Sequence, residues 1–159
     1  MTIFLDMDDV VADFKGYARR VLKKEPDSNF RYPDNEWKRL KDNPRIYRDL
    51  QVKDGAEDLV KWCHEWCIRN NESLLFLTAL PRNNDIHWAI WDKINWAKKH
   101  FPGIPVHFGP YSGDKWRHCK EGDILIDDRE SNCREWEAAG GKSFQYKNWP
   151  ECKEWLMLL

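Results

Sequence analysis

Residues 2–9 read TIFLDMDD, a short apolar run that ends abruptly in acids. The run from Thr2 to Leu5 predicts a short buried β-strand. Asp6 and Asp8 are two positions apart, so their side chains leave an extended segment on the same side. Two such acids can divide a reaction, because one can attack as a nucleophile while the other moves protons. An isolated Asp-x-Asp pair is more often a turn of solvated acids, so the rest of the chain has to decide between these interpretations.

Short apolar runs alternate with helical patterns along the remainder of the chain. Four further strands are predicted, at residues 73–77, 105–108, 123–126 and 143–146. Helices are predicted after Asp54, which we expect to be an N-cap with Glu57 completing a capping box, and at 86–97, 133–139 and 150–158. The helix at 86–97 is predicted to bury the stripe Ile86, Ile90, Ile94 and Ala97. Strands that alternate with helices predict an α/β fold, with a central parallel sheet flanked by helices.

The stretch 15–53 interrupts this alternation. It is too long for a plain loop, because structureless connections beyond about 12–15 residues are uncommon in compact domains. It contains a helical pattern and then prolines, charges and the aromatic residues Phe30, Tyr32, Trp37 and Tyr47. We therefore predict a small, mainly helical cap at 15–53 and an α/β core made of residues 1–14 and 54–159. Trp37 and Tyr47 are candidates for stacking on a flat ligand, although packing of the cap onto the core is the commoner use of such rings.

Polar residues follow three of the predicted strands at the points where the strands end. Asp6 and Asp8 follow the first strand, Thr78 follows the second, and Asp127-Asp128 end the fourth. The carboxyl ends of parallel strands meet at one edge of the sheet, where open α/β sheets bind their ligands. Carboxylates gathered there repel one another, so a cation is expected among them, and Mg²⁺ prefers such hard oxygen ligands. The sequence therefore predicts a magnesium site at this edge.

Composition and charge exclude several classes of protein. Among the 159 residues, 42% are hydrophobic and 33% charged, which suits a folded core with a solvated surface. The 26 basic and 27 acidic residues give a net charge of −1, which argues against stable nucleic-acid binding because such binders usually carry a basic excess. The longest apolar stretch, around 74–80, is far shorter than the roughly 20 residues that span a bilayer, so no membrane partner is expected. Five cysteines without a disulfide pattern favour free thiols and a cytoplasmic location.

The motifs together resemble those of the haloacid dehalogenase (HAD) superfamily of phosphatases. The stretch DMDDVVADF, at residues 6–14, is similar to the first motif of that superfamily. Thr78 matches the second motif, Lys115 the third and Asp127-Asp128 the fourth. Four motifs in the right order are far more specific than any one of them. The resemblance spans residues 3–132 and implies a Rossmann-like HAD core, with the stretch 15–53 as its cap.

Within the superfamily, residues 6–14 and the stretch LIDDR, at 125–129, most resemble the 5'(3')-deoxyribonucleotidases. Those enzymes release phosphate from nucleoside monophosphates and prefer deoxyribose. The resemblance implies that Asp6 attacks phosphorus and forms an aspartyl-phosphate. It also implies that Asp8 protonates the leaving oxygen and later takes a proton from the attacking water. Thr78 and Lys115 would then hold the phosphoryl oxygens.

The resemblance further implies a magnesium site and a nucleobase pocket. Mg²⁺ would be bound by Asp6, the backbone carbonyl of Asp8 and Asp127, with Asp128 as a support. Phe14 would line the base pocket, and Trp37 and Tyr47 of the cap are weaker candidates for the same role. The three positions that depart from the family pattern are Asp9 and Gly113, which replace Gly and Arg of animal members, and Ala79, which replaces a Ser of some members. All three are expected near the substrate, so base and sugar preference stay open.

Several alternatives remain at this point. A phosphatase of polynucleotide ends would need a basic track, which the charge balance disfavours. A phosphatase of sugar phosphates or another small metabolite would use the same motifs, because a fold does not fix a substrate. A binding module without turnover is less expected, since the motif residues are intact. Cys63, His64 and Cys67 lie close together on a predicted helix, but core packing is favoured over a zinc site, which needs four placed ligands. The cap could also contribute to a homodimer.

Overall fold

Five strands form one parallel sheet in the computed structural model, which describes residues 1–25, 32–43, 45–82 and 86–159. The strands are β1 Thr2–Leu5, β2 Ser73–Thr78, β3 Val106–Phe108, β4 Ile124–Asp127 and β5 Lys142–Gln145. Their order across the sheet is β3-β2-β1-β4-β5, and all neighbours are parallel. The strand order therefore reverses at β1, which is where such sheets bind ligands. The predicted α/β fold is confirmed.

Alternate residues of β1 project to opposite faces of the sheet, as the strand period requires. Ile3 and Leu5 are fully buried in the larger hydrophobic cluster, whereas Phe4 belongs to a second one. Trp136 closes the second cluster, with its ring edge-on to Phe4 at 4.9 Å between centroids. The indole Nε1 of Trp136 donates a hydrogen bond to the Asp123 carbonyl at 3.1 Å. Because both faces are covered, β1 is apolar until it reaches the edge where the acids begin.

Helices connect the strands. Within the described residues they are α1 Phe14–Leu22, α2 Asp34–Lys41, α3 Ala56–Asn70, α4 Ala89–His100, α5 Glu130–Ala138 and α6 Trp149–Leu156, with a 3₁₀ helix at Ser112–His118. Two N-termini have side-chain caps, which satisfy N–H groups that a helix leaves free. Asp13 accepts from the Gly16 N–H at 3.0 Å, and Asn148 accepts from the Glu151 N–H at 3.0 Å. The first cap fixes the start of α1 at Phe14, a few residues after the acids at 6–9.

The predicted capping box at the start of α3 is wrong. The residue before the helix is Gly55, not Asp54, and no side chain caps the first turn. Gly55 has a φ of 81°, a left-handed conformation that glycine adopts without steric cost. The Ala56 N–H donates to the Lys53 carbonyl at 3.0 Å instead. The chain therefore enters α3 through a turn that Asp54 cannot cap.

The predicted apolar stripe of α4 is only partly right. Ala97 is buried, but Ile90 is 39% exposed. The buried face instead contains the charged residues Asp92 and Lys93. Arg45 forms a two-pronged ion pair with the Asp92 carboxylate, and Lys93 faces the carboxyl edge of the sheet. Polar partners distant in sequence thus set the rotation of α4, which apolar spacing alone does not show.

The stretch 15–53 contains α1, α2 and a turn at residues 45–49. The hydroxyl of Tyr17 donates to the Leu40 carbonyl at 2.6 Å and joins α1 to α2. Leu40 and Ile46 are fully buried, so this stretch has an apolar interior that is continuous with the main hydrophobic cluster. Phe30 lies outside the described residues. The division into a core and a cap stays a prediction. Among the described helices, none is long and apolar enough to cross a membrane.

Candidate active site

Asp6 lies directly after β1, at the carboxyl edge of the sheet. Its backbone N–H donates to the Ile126 carbonyl at 2.9 Å, which continues the pairing with β4. The chain then turns sharply, because the Ala12 N–H donates back to the Met7 carbonyl at 2.8 Å. Asp9 in this turn has a φ of 64°. The Asp6 side chain is buried, and its Oδ1 accepts from the Met7 N–H at 2.8 Å. The tight turn therefore fixes the orientation of this carboxylate.

Lys115 bridges the first and fourth motifs. Its Nζ lies 2.8 Å from Asp6 Oδ1 and 2.6 Å from Asp127 Oδ2, and the side chain is 2% exposed. Both carboxylates raise the pKa of Lys115 above its usual value, against the opposing effect of burial. Asn132, which sequence reasoning missed, donates to Asp127 Oδ2 at 2.9 Å from the first turn of α5. The Arg129 N–H donates to Asp127 Oδ1 at 2.9 Å, so both oxygens of that carboxylate are held.

Asp8 and Thr78 both accept hydrogen bonds from one lysine, which lies outside the four motifs. Lys93 of α4 donates to Asp8 Oδ2 at 2.6 Å and to Thr78 Oγ1 at 3.0 Å. Thr78 is fully buried at the end of β2, and Lys93 is 1% exposed. Lys93 lies four residues after Ala89 and three before Trp96, so it shares the buried face of α4 with them, a face that the spacing of the isoleucines does not indicate.

Five carboxylates gather at this edge, and we refer to Asp6, Asp8, Asp9, Asp127 and Asp128 as the acid cluster. Burial raises the pKa of Asp6 to about 8, with Lys115 opposing the effect and the neighbouring acids adding to it. Burial and the nearby Asp128 carboxylate likewise raise the pKa of Asp9 to about 7. The pKa of Asp128 is raised by burial and by Asp127, while its partner Lys15 opposes the rise. The cluster is therefore short of positive charge.

The acid cluster fits a divalent cation. Carboxylate oxygens of Asp6, Asp127 and Asp128 lie within 4.8 Å of one another, and all three residues are buried. Within the described chain, four of the five carboxylates form ion pairs with three ammonium groups, those of Lys15, Lys93 and Lys115, and Asp9 Oδ1 accepts from the Lys15 backbone N–H at 2.8 Å. When all are ionised, the five carboxylates carry two more charges than these three ammonium groups. Hard oxygen donors with this charge are the ligands that Mg²⁺ prefers.

A cavity of about 680 Å³ opens above these groups. Asp6, Asp8 and Lys115 contribute to its polar side, and Phe14 belongs to its aromatic wall. The other rings of that wall are Tyr32, Trp37 and Tyr47, whose centroids each lie 6.0–6.1 Å from that of Phe14. The structure thus brings all three predicted pocket residues together and adds Tyr32. Asp9, Ala79 and Gly113, the three departures from the family pattern, also line the cavity.

Comparison with known proteins identifies the family. The model of the family described as "5' nucleotidase, deoxy (Pyrimidine), cytosolic type C protein" matches residues 1–149. The chain belongs to this family. Two Staphylococcus epidermidis proteins from different strains, provisionally named 5'(3')-deoxyribonucleotidase, are each 28% identical, with 91% of this chain and 81% of theirs covered. A hydrolase of Streptococcus pneumoniae TIGR4 shares the fold, with a TM-score of 0.59, 11% identity and coverage of 98% of this chain and 97% of that one.

Family membership confirms the resemblance drawn from the motifs. This member of the 5'-nucleotidase family is a HAD-type phosphoric monoester hydrolase. The family makes a nucleoside monophosphate the expected class of small-molecule substrate. Its residues at the carboxyl edge of the sheet offer what such a reaction requires: carboxylates, two buried ammonium groups and an adjoining cavity.

Proposed function

We propose that the chain is a magnesium-dependent 5'(3')-deoxyribonucleotidase, which hydrolyses deoxyribonucleoside monophosphates to nucleoside and phosphate. The observation that carries the proposal is the environment of Asp6. Its Oδ1 accepts from Met7 and lies in contact with Lys115, whereas no donor in the described part of the chain engages Oδ2. That oxygen is available to attack a phosphorus atom bound in the adjoining cavity.

The reaction proceeds in two displacements. In the first, Asp6 Oδ2 forms a bond to phosphorus while the bond from phosphorus to the nucleoside oxygen breaks. A sugar alkoxide is a poor leaving group, so Asp8 gives it a proton. In the second, Asp8 takes a proton from water, the water oxygen attacks the aspartyl-phosphate, and free phosphate leaves Asp6. Both carboxyl groups then return to their starting states.

Lys115 and Thr78 hold the phosphoryl oxygens in this proposal. The Lys115 ammonium lies beside the nucleophile, where negative charge accumulates during transfer, and a fixed cation there stabilises the transition state. Asp6, Asp127 and the backbone carbonyl of Asp8 would bind Mg²⁺, with Asp128 in support. Bound there, the ion would counter the negative charge of the phosphoryl group.

The aromatic wall supports a nucleoside as the leaving group. Phe14, Trp37 and Tyr47 line the cavity that adjoins the acid cluster. Stacking of a base on an aromatic ring contributes about 1–3 kcal/mol in single-stranded nucleic-acid complexes. A sugar phosphate has no base, so it could not stack on these aromatic rings.

The test is phosphate release, with and without Mg²⁺, from matched deoxyribo- and ribonucleoside monophosphates, including 3' and 5' isomers. The panel also contains a 5'-phosphorylated oligonucleotide and a sugar phosphate. Asp6→Asn is the inactive reference, and Asp58→Asn is the matched control because Asp58 is an exposed acid on α3 that does not line the cavity. We expect turnover that needs Mg²⁺, is highest on a deoxyribonucleoside monophosphate and falls about 10³-fold or more in Asp6→Asn. Turnover confined to the oligonucleotide or the sugar phosphate would refute the proposed substrate, and equal activity of Asp6→Asn would refute the mechanism.

A further inference from the structure

Lys93 is a buried cation, and a carboxylate, a hydroxyl and an aromatic ring lie around its ammonium group. A buried ammonium is strongly unfavourable unless it is paired and hydrogen-bonded, and lysine has three N–H donors and no acceptor. Its Nζ lies 2.6 Å from Asp8 Oδ2, 3.0 Å from Thr78 Oγ1 and 4.5 Å from the centroid of the Tyr47 ring. Carboxylate, hydroxyl and aromatic face together surround the charge.

We propose that Lys93 is a positioning residue, which orients the Asp8 carboxyl group for proton transfer and the Thr78 hydroxyl for phosphate binding. The inference rests on the function proposed above and assigns a role to a residue outside the four motifs. Lys93 is separate from Lys115, which pairs with Asp6 and Asp127 on the nucleophile side of the site. The two buried ammonium groups therefore serve different acids.

The orientation of Asp8 follows from the contact with Lys93. The hydrogen bond engages Oδ2, while Oδ1 has no hydrogen bond to the described residues. Oδ1 is therefore the oxygen that is free to carry a proton to the leaving group and to receive one from water. Without Lys93, the carboxyl group of this partly exposed side chain could rotate away, and misplaced groups lose much of their catalytic effect.

The orientation of Thr78 follows from the chemistry of the donor. Since an ammonium can only donate, Thr78 Oγ1 must be the acceptor in this contact. The hydroxyl hydrogen of Thr78 then remains available for a phosphoryl oxygen. Lys93 thus sets the direction of a hydroxyl that could otherwise donate elsewhere.

The turn at residues 45–49 holds Tyr47 over Lys93 from the side of the predicted cap. Arg45 is paired with Asp92, the residue before Lys93, and the Trp96 indole Nε1 donates to the Leu50 carbonyl at 2.7 Å. These two links lie on either side of Lys93 along α4. They fix the spacing between α4 and the turn, and so keep the ring against the ammonium.

Two substrates with different leaving groups distinguish a role of Lys93 in positioning Asp8 from a general structural role. p-Nitrophenolate leaves without protonation, whereas a sugar alkoxide needs an acid. We compare kcat/KM of Lys93→Met for p-nitrophenyl phosphate and for the best nucleoside monophosphate, with Asp8→Asn and Thr78→Val as references. We expect a loss of about 10²-fold on the nucleotide and about tenfold or less on the aryl phosphate. Thr78→Val should lower both values by a similar factor, because it removes a phosphate contact alone.

A double variant tests whether Lys93 acts through Asp8. If it does, Lys93→Met in the Asp8→Asn background costs only the smaller loss expected through Thr78, about tenfold or less on the nucleotide, because coupled groups give non-additive effects. Thermal unfolding checks that each variant folds, and Lys93→Gln, which retains a donor, replaces Lys93→Met if the latter does not. Equal losses on both substrates, or additive losses in the double variant, would overturn the inference.

The activity of the wild-type protein shows whether the proposed function or only the role of Lys93 is wrong. If the wild-type protein hydrolyses a sugar phosphate but no nucleotide, the proposed substrate is wrong, and the same comparison proceeds with the sugar phosphate as the alkyl ester. If the wild-type protein hydrolyses no phosphate ester, both proposals are overturned.

Discussion

Replacing Lys115 with methionine removes a cation on which two buried acids depend. The ammonium lies 2.8 Å from Asp6 and 2.6 Å from Asp127, and all three side chains are at most 8% exposed. Removing one partner of a buried ion pair destabilises a protein by about 3–5 kcal/mol. Asp127 retains hydrogen bonds from Asn132 and from a backbone N–H, so we expect the lower end of that range, about 3 kcal/mol. For a chain of this size that corresponds to a fall in Tm of about 6–12 °C.

Two assays measure the consequences of this substitution. Thermal unfolding in EDTA should show the full fall in Tm, and Mg²⁺ should recover part of it, because the ion supplies positive charge to the same acids. Phosphate release at saturating Mg²⁺ should still fall about 10²–10³-fold, since a fixed donor to the transferring group is lost. Lys98→Met is the matched control, because Lys98 is exposed on α4. A Lys115→Met variant with wild-type Tm in EDTA would show that Lys115 does not stabilise the two buried acids, and one with activity within tenfold of wild type would show that it does not assist phosphoryl transfer.

Three further predictions concern the acid cluster, the turn at 45–49 and the packing around Trp136. Burial raises the pKa of Asp6 to about 8 and of Asp9 to about 7, so the metal-free protein holds protons that the unfolded chain releases. Its free energy of unfolding should therefore fall as the pH rises from about 4 to about 8. The increase in Tm caused by Mg²⁺ should be larger at about pH 8 than at about pH 5, because the ion binds the deprotonated carboxylates. A pH-independent magnesium effect in thermal scans would contradict this. Asp92→Asn should lower stability by about 1–3 kcal/mol in urea unfolding, because it removes the charge that pairs with Arg45, whereas Asp58→Asn on the exposed face of α3 should change it by less than about 0.5 kcal/mol. Gly141→Ala should cost about 1–3 kcal/mol, since the added Cβ would lie 2.3 Å from Trp136 Nε1, and a stability equal to that of Gly113→Ala, where nothing lies within 4 Å, would be inconsistent with the packing.

The acids of the site were predictable because they are local features of the sequence. Asp6 follows one apolar strand and Asp127 ends another. Parallel strands bring their carboxyl ends to one edge of the sheet, so strand patterns alone predict that the two lie close together. Thr78 was predictable for the same reason. The structure adds the distances, the burial and the Lys115 bridge, all of which depend on the packing around the strands.

Lys93 was not predictable by the same reasoning. It contacts Asp8 across 85 residues of sequence, and its helix looks like an ordinary apolar helix with isoleucines at helical spacing. A buried charge is stable only where tertiary partners surround it, and no local pattern records those partners. The start of α3 shows the same limit on a smaller scale, since the spacing of Asp54 and Glu57 predicted a cap, whereas the left-handed φ of Gly55 and its contact with Trp149 appear only in the folded chain.

Covalent trapping tests whether Asp6 carries the phosphoryl group during turnover. The protein is mixed with its best nucleoside monophosphate and Mg²⁺, quenched in acid within a single turnover, reduced with borohydride and analysed by peptide mass spectrometry. Reduction of an aspartyl-phosphate converts that aspartate to homoserine. We expect this conversion at Asp6 alone, and none in Asp6→Asn. Conversion at Asp8 or Asp127, or rapid turnover with no trapped intermediate at any aspartate, would contradict this expectation.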